Sequence, residues 1–123
     1  MSSLLIVEDS AATRALIRSA IEEIGEDLST VEAASGFEAL KLLPTENFDL
    51  IITDINMPDI NGLELIHFVK TNPRYSGIPV IIVTTERSKE DKERGLALGA
   101  SAYVIKPFRA EELQEAITRI LNR

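Results

Sequence analysis

The 123-residue sequence contains no cysteine and no tryptophan, a single histidine, and only 5% aromatic residues. Without cysteine there is no thiol catalysis, no thiolate zinc site and no disulfide, and the redox compartment stays open. The lone histidine, His67, excludes multi-histidine metal centres and leaves little material for a Ser-His-Asp triad. It is expected to be a boundary side chain. Positive charge is also in deficit, since 13 Lys and Arg against 20 Asp and Glu give a formal net charge of −7. That argues against direct nucleic-acid binding, which needs a basic face to displace counterions. Long hydrophobic runs are missing too. The first apolar run, Leu4 to Val7, has no positive segment before it and is far too short to cross a membrane, so neither signal peptide nor membrane contact is expected. A cytoplasmic location follows as the default.

What is present is a chain 45% hydrophobic, enough at this length for one domain, 1–123, with its own core. Apolar runs of strand length occur at Leu4 to Val7, Leu28 to Ala33, Phe48 to Thr53, Ile78 to Val83 and Ala102 to Ile105. The segments between them carry helical periodicity. Leu16, Ile17, Ala20, Ile21 and Ile24 form one stripe after Ser10 and stop at Gly25. Ser35 and Glu38 read as a capping box on a helix closed by Pro44. Leu63, Ile66 and Val69 form a third stripe, Ser88 to Leu98 a fourth ending at Gly99, and Leu113 to Leu121 a fifth with acidic residues in its first turn. Gly95, inside the fourth, should weaken it by about 0.8–1 kcal/mol relative to Ala. Alternating strands and helices indicate a parallel α/β sheet. Leu28 to Ala33, interrupted by Ser29, Thr30 and Glu32, is the expected edge strand, because central parallel strands are apolar on both faces.

In such a sheet, ligands bind beyond the carboxyl ends of the strands. Reading the chain there gives Glu8 and Asp9, then Asp54, then Thr84 and Thr85, then Lys106 before Pro107. Three carboxylates and one ammonium leave a deficit that one divalent cation would neutralise, and a small set of oxygen ligands suits Mg²⁺. A carboxylate at Asp54 can attack phosphorus to give an acyl phosphate. Lys106 and a metal would stand on the phosphoryl oxygens, where charge spreads in the transition state, and the Thr84 hydroxyl can donate to one of them.

The segments IVEDS (6–10), ITDINMPDINGLEL (52–65), VIIVTT (80–85) and VIKPF (104–108) together resemble the response-regulator receiver domain of two-component signalling, and within it the stand-alone chemotaxis regulators. The resemblance covers nearly the whole chain. It implies a flavodoxin-like (βα)₅ three-layer sandwich with a five-stranded parallel sheet in the order 2-1-3-4-5. It makes Asp54 the phosphoacceptor, Asp9 a direct Mg²⁺ ligand, Glu8 a ligand mainly through water, and the backbone carbonyl of Asn56 a further ligand. It gives Lys106 the phosphoryl group as partner, makes Thr84 and Tyr103 the switch pair, and implies a cis bond before Pro107. Asn56 and Glu86 flank the path of the hydrolytic water, with Thr85 narrowing it, so these three should tune dephosphorylation. Glu8 stands where aspartate is more usual, Thr85 where a small residue is, and Arg109 where a better helix cap is.

The implied protein is a switch, not an enzyme beyond its own phosphotransfer and autodephosphorylation. Its donor would be a sensor histidine kinase or a phosphotransfer domain. Its output would be a protein bound through the fourth helix, fifth strand and fifth helix, and it would act as a monomer with no output domain of its own. A receiver excised from a larger regulator or hybrid kinase remains an alternative. A Mg²⁺-dependent aspartyl-phosphate phosphohydrolase is another, weakened by Asn56 where such enzymes place a second aspartate. An FMN-binding module is disfavoured by the acidic loop Glu8-Asp9-Ser10.

Overall fold

The computed structural model describes residues 1–85 and 89–123. Five strands, β1 (Ser2–Val7), β2 (Leu28–Ala33), β3 (Leu50–Thr53), β4 (Val80–Thr85) and β5 (Ala102–Lys106), form one parallel sheet in the order 2-1-3-4-5. They alternate with α1 (Ala11–Ile24), α2 (Gly36–Leu42), α3 (Gly62–Thr71), α4 (Lys89–Leu98) and α5 (Ala110–Ile120). The expected flavodoxin-like three-layer sandwich is the observed architecture, with β2 at one edge. No helix among the described residues is long and apolar enough to cross a membrane.

Strand alternation sorts the core into two layers. Leu4, Ile6, Ile52, Ile81, Val83 and Val104 pack against α1 and α5 through Ile17, Ile21, Leu113 and Ile117. Leu5, Val7, Ile51, Val80 and Ile82 face the other way, against Ala39, Leu65, Ile66 and Val69 of α2 and α3. Both faces of the central strands are therefore apolar, and β1, β3 and β4 are almost wholly buried.

Several boundaries differ from the sequence reading for identifiable reasons. The β3 ladder starts at Leu50 because Asp49 turns its amide to the Ser3 carbonyl (2.7 Å) while Phe48 packs into the core ahead of it. Ile78 is tied into a turn by its bond to the Tyr75 carbonyl (2.9 Å), so β4 begins at Val80. Leu16 leaves the buried stripe and is 63% exposed, because it sits at the stripe's margin, about 100° around the helix from Ile17. Pro44 falls inside a short 3-10 turn, Leu43–Thr45, that follows α2. The Ser35 hydroxyl accepts from the Glu38 amide as expected, but Glu38 returns its bond to Ala34. Arg109 is better accommodated than its residue type suggests, since Glu112 accepts from both its amide and its Nε (3.3 Å). Ser88, the expected start of α4, lies outside the described residues.

Gly95 has a packing role that its helix position alone concealed. A Cβ there would lie 2.2 Å from the Ile82 side chain, so glycine lets α4 approach β4 closely.

Candidate functional site

The β1–β3 register pairs Val7 with Thr53, so Glu8 and Asp54 leave the sheet side by side, and the Asp54 amide bonds the Val7 carbonyl (3.1 Å). On the other flank, Thr85 pairs with Lys106. Topology thus gathers Glu8, Asp9, Asp54, Thr84, Thr85 and Lys106 at one end of the sheet.

Asp54 is 7% exposed. Its Oδ1 accepts the amides of Ile55 (2.6 Å) and Asn56 (3.3 Å), while Oδ2 accepts from Lys106 Nζ (2.8 Å). Lys106 also donates to Glu8 Oε1 at 2.5 Å, and the Ser10 amide donates to Glu8 Oε2 at 3.0 Å. Burial pushes the Glu8 carboxyl above the ordinary carboxylate range, against the opposing pull of Lys106 and the Ser10 amide. Burial draws the Lys106 ammonium down, but its bonds to Asp54 and Glu8 outweigh that and leave it above the usual lysine value. The ammonium is in effect the counter-ion of the acidic pocket. The Lys106–Pro107 peptide is cis.

Carboxylate oxygens of Glu8, Asp9 and Asp54 all lie within 4.8 Å of one another, with Asp9 exposed and the other two buried. An all-oxygen set of this charge and spacing fits a small hard cation. Thr84 is fully buried, and its hydroxyl has no hydrogen-bond partner among the described residues. The β4–β5 register puts Thr84 opposite Ile105 and Ile82 opposite Tyr103, so Thr84 and Tyr103 share one face of the sheet. Tyr103 is half-buried there, with Lys92 Nζ of α4 4.6 Å from its ring centroid. Thr85 faces the other way, into a groove with Thr13, Leu16, Pro107 and Phe108. Asn56 is exposed beside Asp54, and His67 is exposed on α3. Glu86 lies outside the described residues.

Residues 4–118 match the response regulator receiver domain family. The chain belongs to that family. A chemotaxis protein CheY homolog from Campylobacter jejuni is 39% identical over 97% of this chain and 92% of its own length. CheY of Pseudomonas aeruginosa is 36% identical, covering 98% and 96%. Among solved structures, Vibrio cholerae CheY4 superposes with a TM-score of 0.88 at 35% identity over 98% of both chains. The receiver domain of a Syntrophus aciditrophicus histidine kinase gives 0.90 at 33% identity over 99% and 91%. This receiver domain is thus of the CheY-like kind, built for phosphorylation-activated two-component signalling, and the phosphohydrolase reading is not favoured.

Two contributors to the receiver site escaped the sequence reading. Asp59 drew no reading of its own in the sequence, yet its carboxylate accepts the amides of Gly36 (3.2 Å) and Phe37 (2.9 Å), docking the loop after Asp54 onto the start of α2. Asn61 and Glu64 form a reciprocal capping box that starts α3, a spacing present in the sequence as N-x-x-E. The Phe37 amide above all, aided by those of Ile60 and Gly36 against some cost of burial, holds Asp59 below the ordinary carboxylate range. A depressed native pKa stabilises the fold above the unfolded carboxylate value, near 3.9, and that stabilisation disappears as pH falls through the native value. Asp59→Asn is therefore expected to lower the urea midpoint at neutral pH, with the gap to wild type narrowing as pH falls below the unfolded carboxylate value. A gap that stays constant under acidification would remove the charged-cap role.

Proposed function

We propose that Asp54 accepts a phosphoryl group from a phosphohistidine on a sensor kinase or phosphotransfer domain. The observation that carries this reading is the Asp54–Lys106–Glu8 arrangement: a buried carboxylate, oriented by two backbone amides on one oxygen and charge-paired to an ammonium on the other. With Oδ1 taken by two backbone amides, Oδ2 is the oxygen assigned the attack. The new O–P bond forms as the P–N bond of the phosphohistidine breaks, and the nitrogen's electron pair returns to the imidazole. Lys106 follows the negative charge from the carboxylate onto the phosphoryl oxygens. The Thr84 hydroxyl, fully buried and unsatisfied among the described residues, gains the acceptor it lacks.

Glu8, Asp9 and Asp54, with the Asn56 carbonyl, are the groups that would hold Mg²⁺, whose part when bound is to neutralise phosphoryl charge. Movement of Thr84 toward the phosphoryl group vacates space on the face it shares with Tyr103, and the output is read by a protein bound over α4, β5 and α5. Asn56, Thr85 and Glu86 then set how fast water removes the group, the step that makes the protein a self-resetting switch rather than an enzyme. The chain 1–123 acts as a single cytoplasmic, monomeric domain of this kind.

Incubation with acetyl phosphate and Mg²⁺ should label the wild type once, through an acid-stable, base-labile linkage, and Asp54→Asn should remain unlabelled. Intact-mass and peptide mass spectrometry read both. Undiminished labelling of the variant would assign the nucleophile to another residue.

A further inference from the structure

The loop carrying Glu8 and Asp9 is gripped from behind by a residue outside the acidic cluster. Arg14 enters α1 with its amide on the Ser10 carbonyl (2.9 Å), and its side chain runs back toward the helix start, the direction helical side chains favour. Its Nη1 donates to the main-chain carbonyl of Glu8 at 2.7 Å, and its Nε pairs with Glu32 Oε1 at 3.2 Å. Glu32 is opposite Ile6 in the β1–β2 register, and its second oxygen is taken by Arg18 Nη1 at 2.6 Å. The Arg14 side chain is only 18% exposed.

We propose that Arg14 is the positioning residue of the acidic loop, with Glu32 on the edge strand as its anchor, and that together they set the divalent-cation affinity of the Glu8–Asp9–Asp54 site. The Glu8 carbonyl belongs to the planar peptide unit that ends at the Asp9 nitrogen, so fixing that oxygen fixes the direction in which Asp9 leaves the strand. Asp9 is the exposed member of the three, so packing holds its side chain less than it holds Glu8 or Asp54. Glu32 has a second effect. It offsets the guanidinium charge, so the loop is held with less repulsion of a cation entering the acidic pocket. Lysine cannot do both jobs, because a compact ammonium lacks the planar fork that spans the Glu8 carbonyl and the Glu32 carboxylate. Partners that orient metal ligands from outside typically change metal affinity 10–100-fold when removed.

The inference rests on the proposed metal site, so the experiment has one arm without metal. Amide hydrogen exchange across residues 8–13 is measured in chelator, and Mg²⁺ affinity by calorimetry, for wild type, Arg14→Met, Arg14→Lys and Arg18→Met. Arg14→Met should speed exchange at Glu8 and Ser10, whose amides bond Ala33 and the Glu8 carboxylate, and weaken Mg²⁺ binding about tenfold. Arg14→Lys should recover only part of both. Arg18→Met, which loses a Glu32 contact but none to Glu8, should match wild type in both, whatever its melting temperature. Wild-type exchange in Arg14→Met, faster exchange with unweakened Mg²⁺ binding, or equal losses in Arg18→Met would each overturn the proposal. A wild type that binds no Mg²⁺ would instead defeat the metal reading itself, and the exchange arm would still decide whether Arg14 positions the loop.

Discussion

Gly62→Ala is expected to destabilise the receiver by about 3 kcal/mol and to slow labelling of Asp54 at least about tenfold. The direction is not the usual one, because a helix normally gains when glycine becomes alanine. Here an added Cβ would lie 2.1 Å from the Asp54 carbonyl oxygen and 2.8 Å from the Ile55 Cα. Both are backbone atoms, so no rotamer change relieves the overlap. The Gly62 amide also bonds the Ile55 carbonyl at 2.8 Å, so the start of α3 is seated on the phosphoacceptor's own main chain. Either α3 backs away, losing that bond and the packing of Leu65 and Ile66, or Asp54 shifts from its place beside Lys106. Gly77→Ala is the control, since nothing lies within 4 Å of a Cβ there and no loss is expected. Urea unfolding of both variants, with labelling rates, tests the argument. A Gly62→Ala protein as stable as Gly77→Ala would show that the helix is free to move outward.

Lys106→Met should lower stability by about 3 kcal/mol near neutral pH in the absence of metal, because it strips two buried carboxylates of their common partner. The pH dependence carries a definite sign. Lys106 has a raised native pKa, so its stabilising effect is fully present below the ordinary lysine value and disappears only as pH rises through the higher native one. Glu8 also has a raised native pKa, which for a carboxylate means stability falls as pH climbs from the unfolded glutamate value through the native one. The ammonium limits that fall by pulling Glu8 down. Without it the native pKa of Glu8 rises further, so the deficit of Lys106→Met should be larger near pH 8 than near pH 5. Chemical unfolding of both proteins at the two pH values gives the difference directly. A deficit independent of pH would mean that methionine disturbs packing and that the carboxylates do not need the charge.

The parallel α/β class and the edge place of β2 were legible from local pattern, whereas the 2-1-3-4-5 order came from the family resemblance. Continuous apolar runs at β1, β3 and β4 require cover on both faces, the polar interruptions of β2 send it to an edge, and the stripes of α1, α3 and α5 supply the cover. The candidate site was legible for a related reason. A parallel sheet delivers every strand's carboxyl end to one rim, so Glu8, Asp9, Asp54, Thr84 and Lys106 needed only their positions after each strand to be grouped. The tertiary structure alone decided what depends on the approach of one element to another. That Gly62 must clear the Asp54 backbone, that Gly95 admits α4 against Ile82, that Asp59 reaches the start of α2, and that Arg14 links the Glu8 carbonyl to Glu32 are all contacts between separate elements or loops, whatever their separation in sequence. No periodicity or motif encodes such distances, because glycine, aspartate and arginine carry the same local signal whether or not a partner arrives. Sequence fixes which groups meet at the rim through the regular geometry of strands. How tightly they are held is set by close packing, where a single methyl or guanidinium changes the outcome.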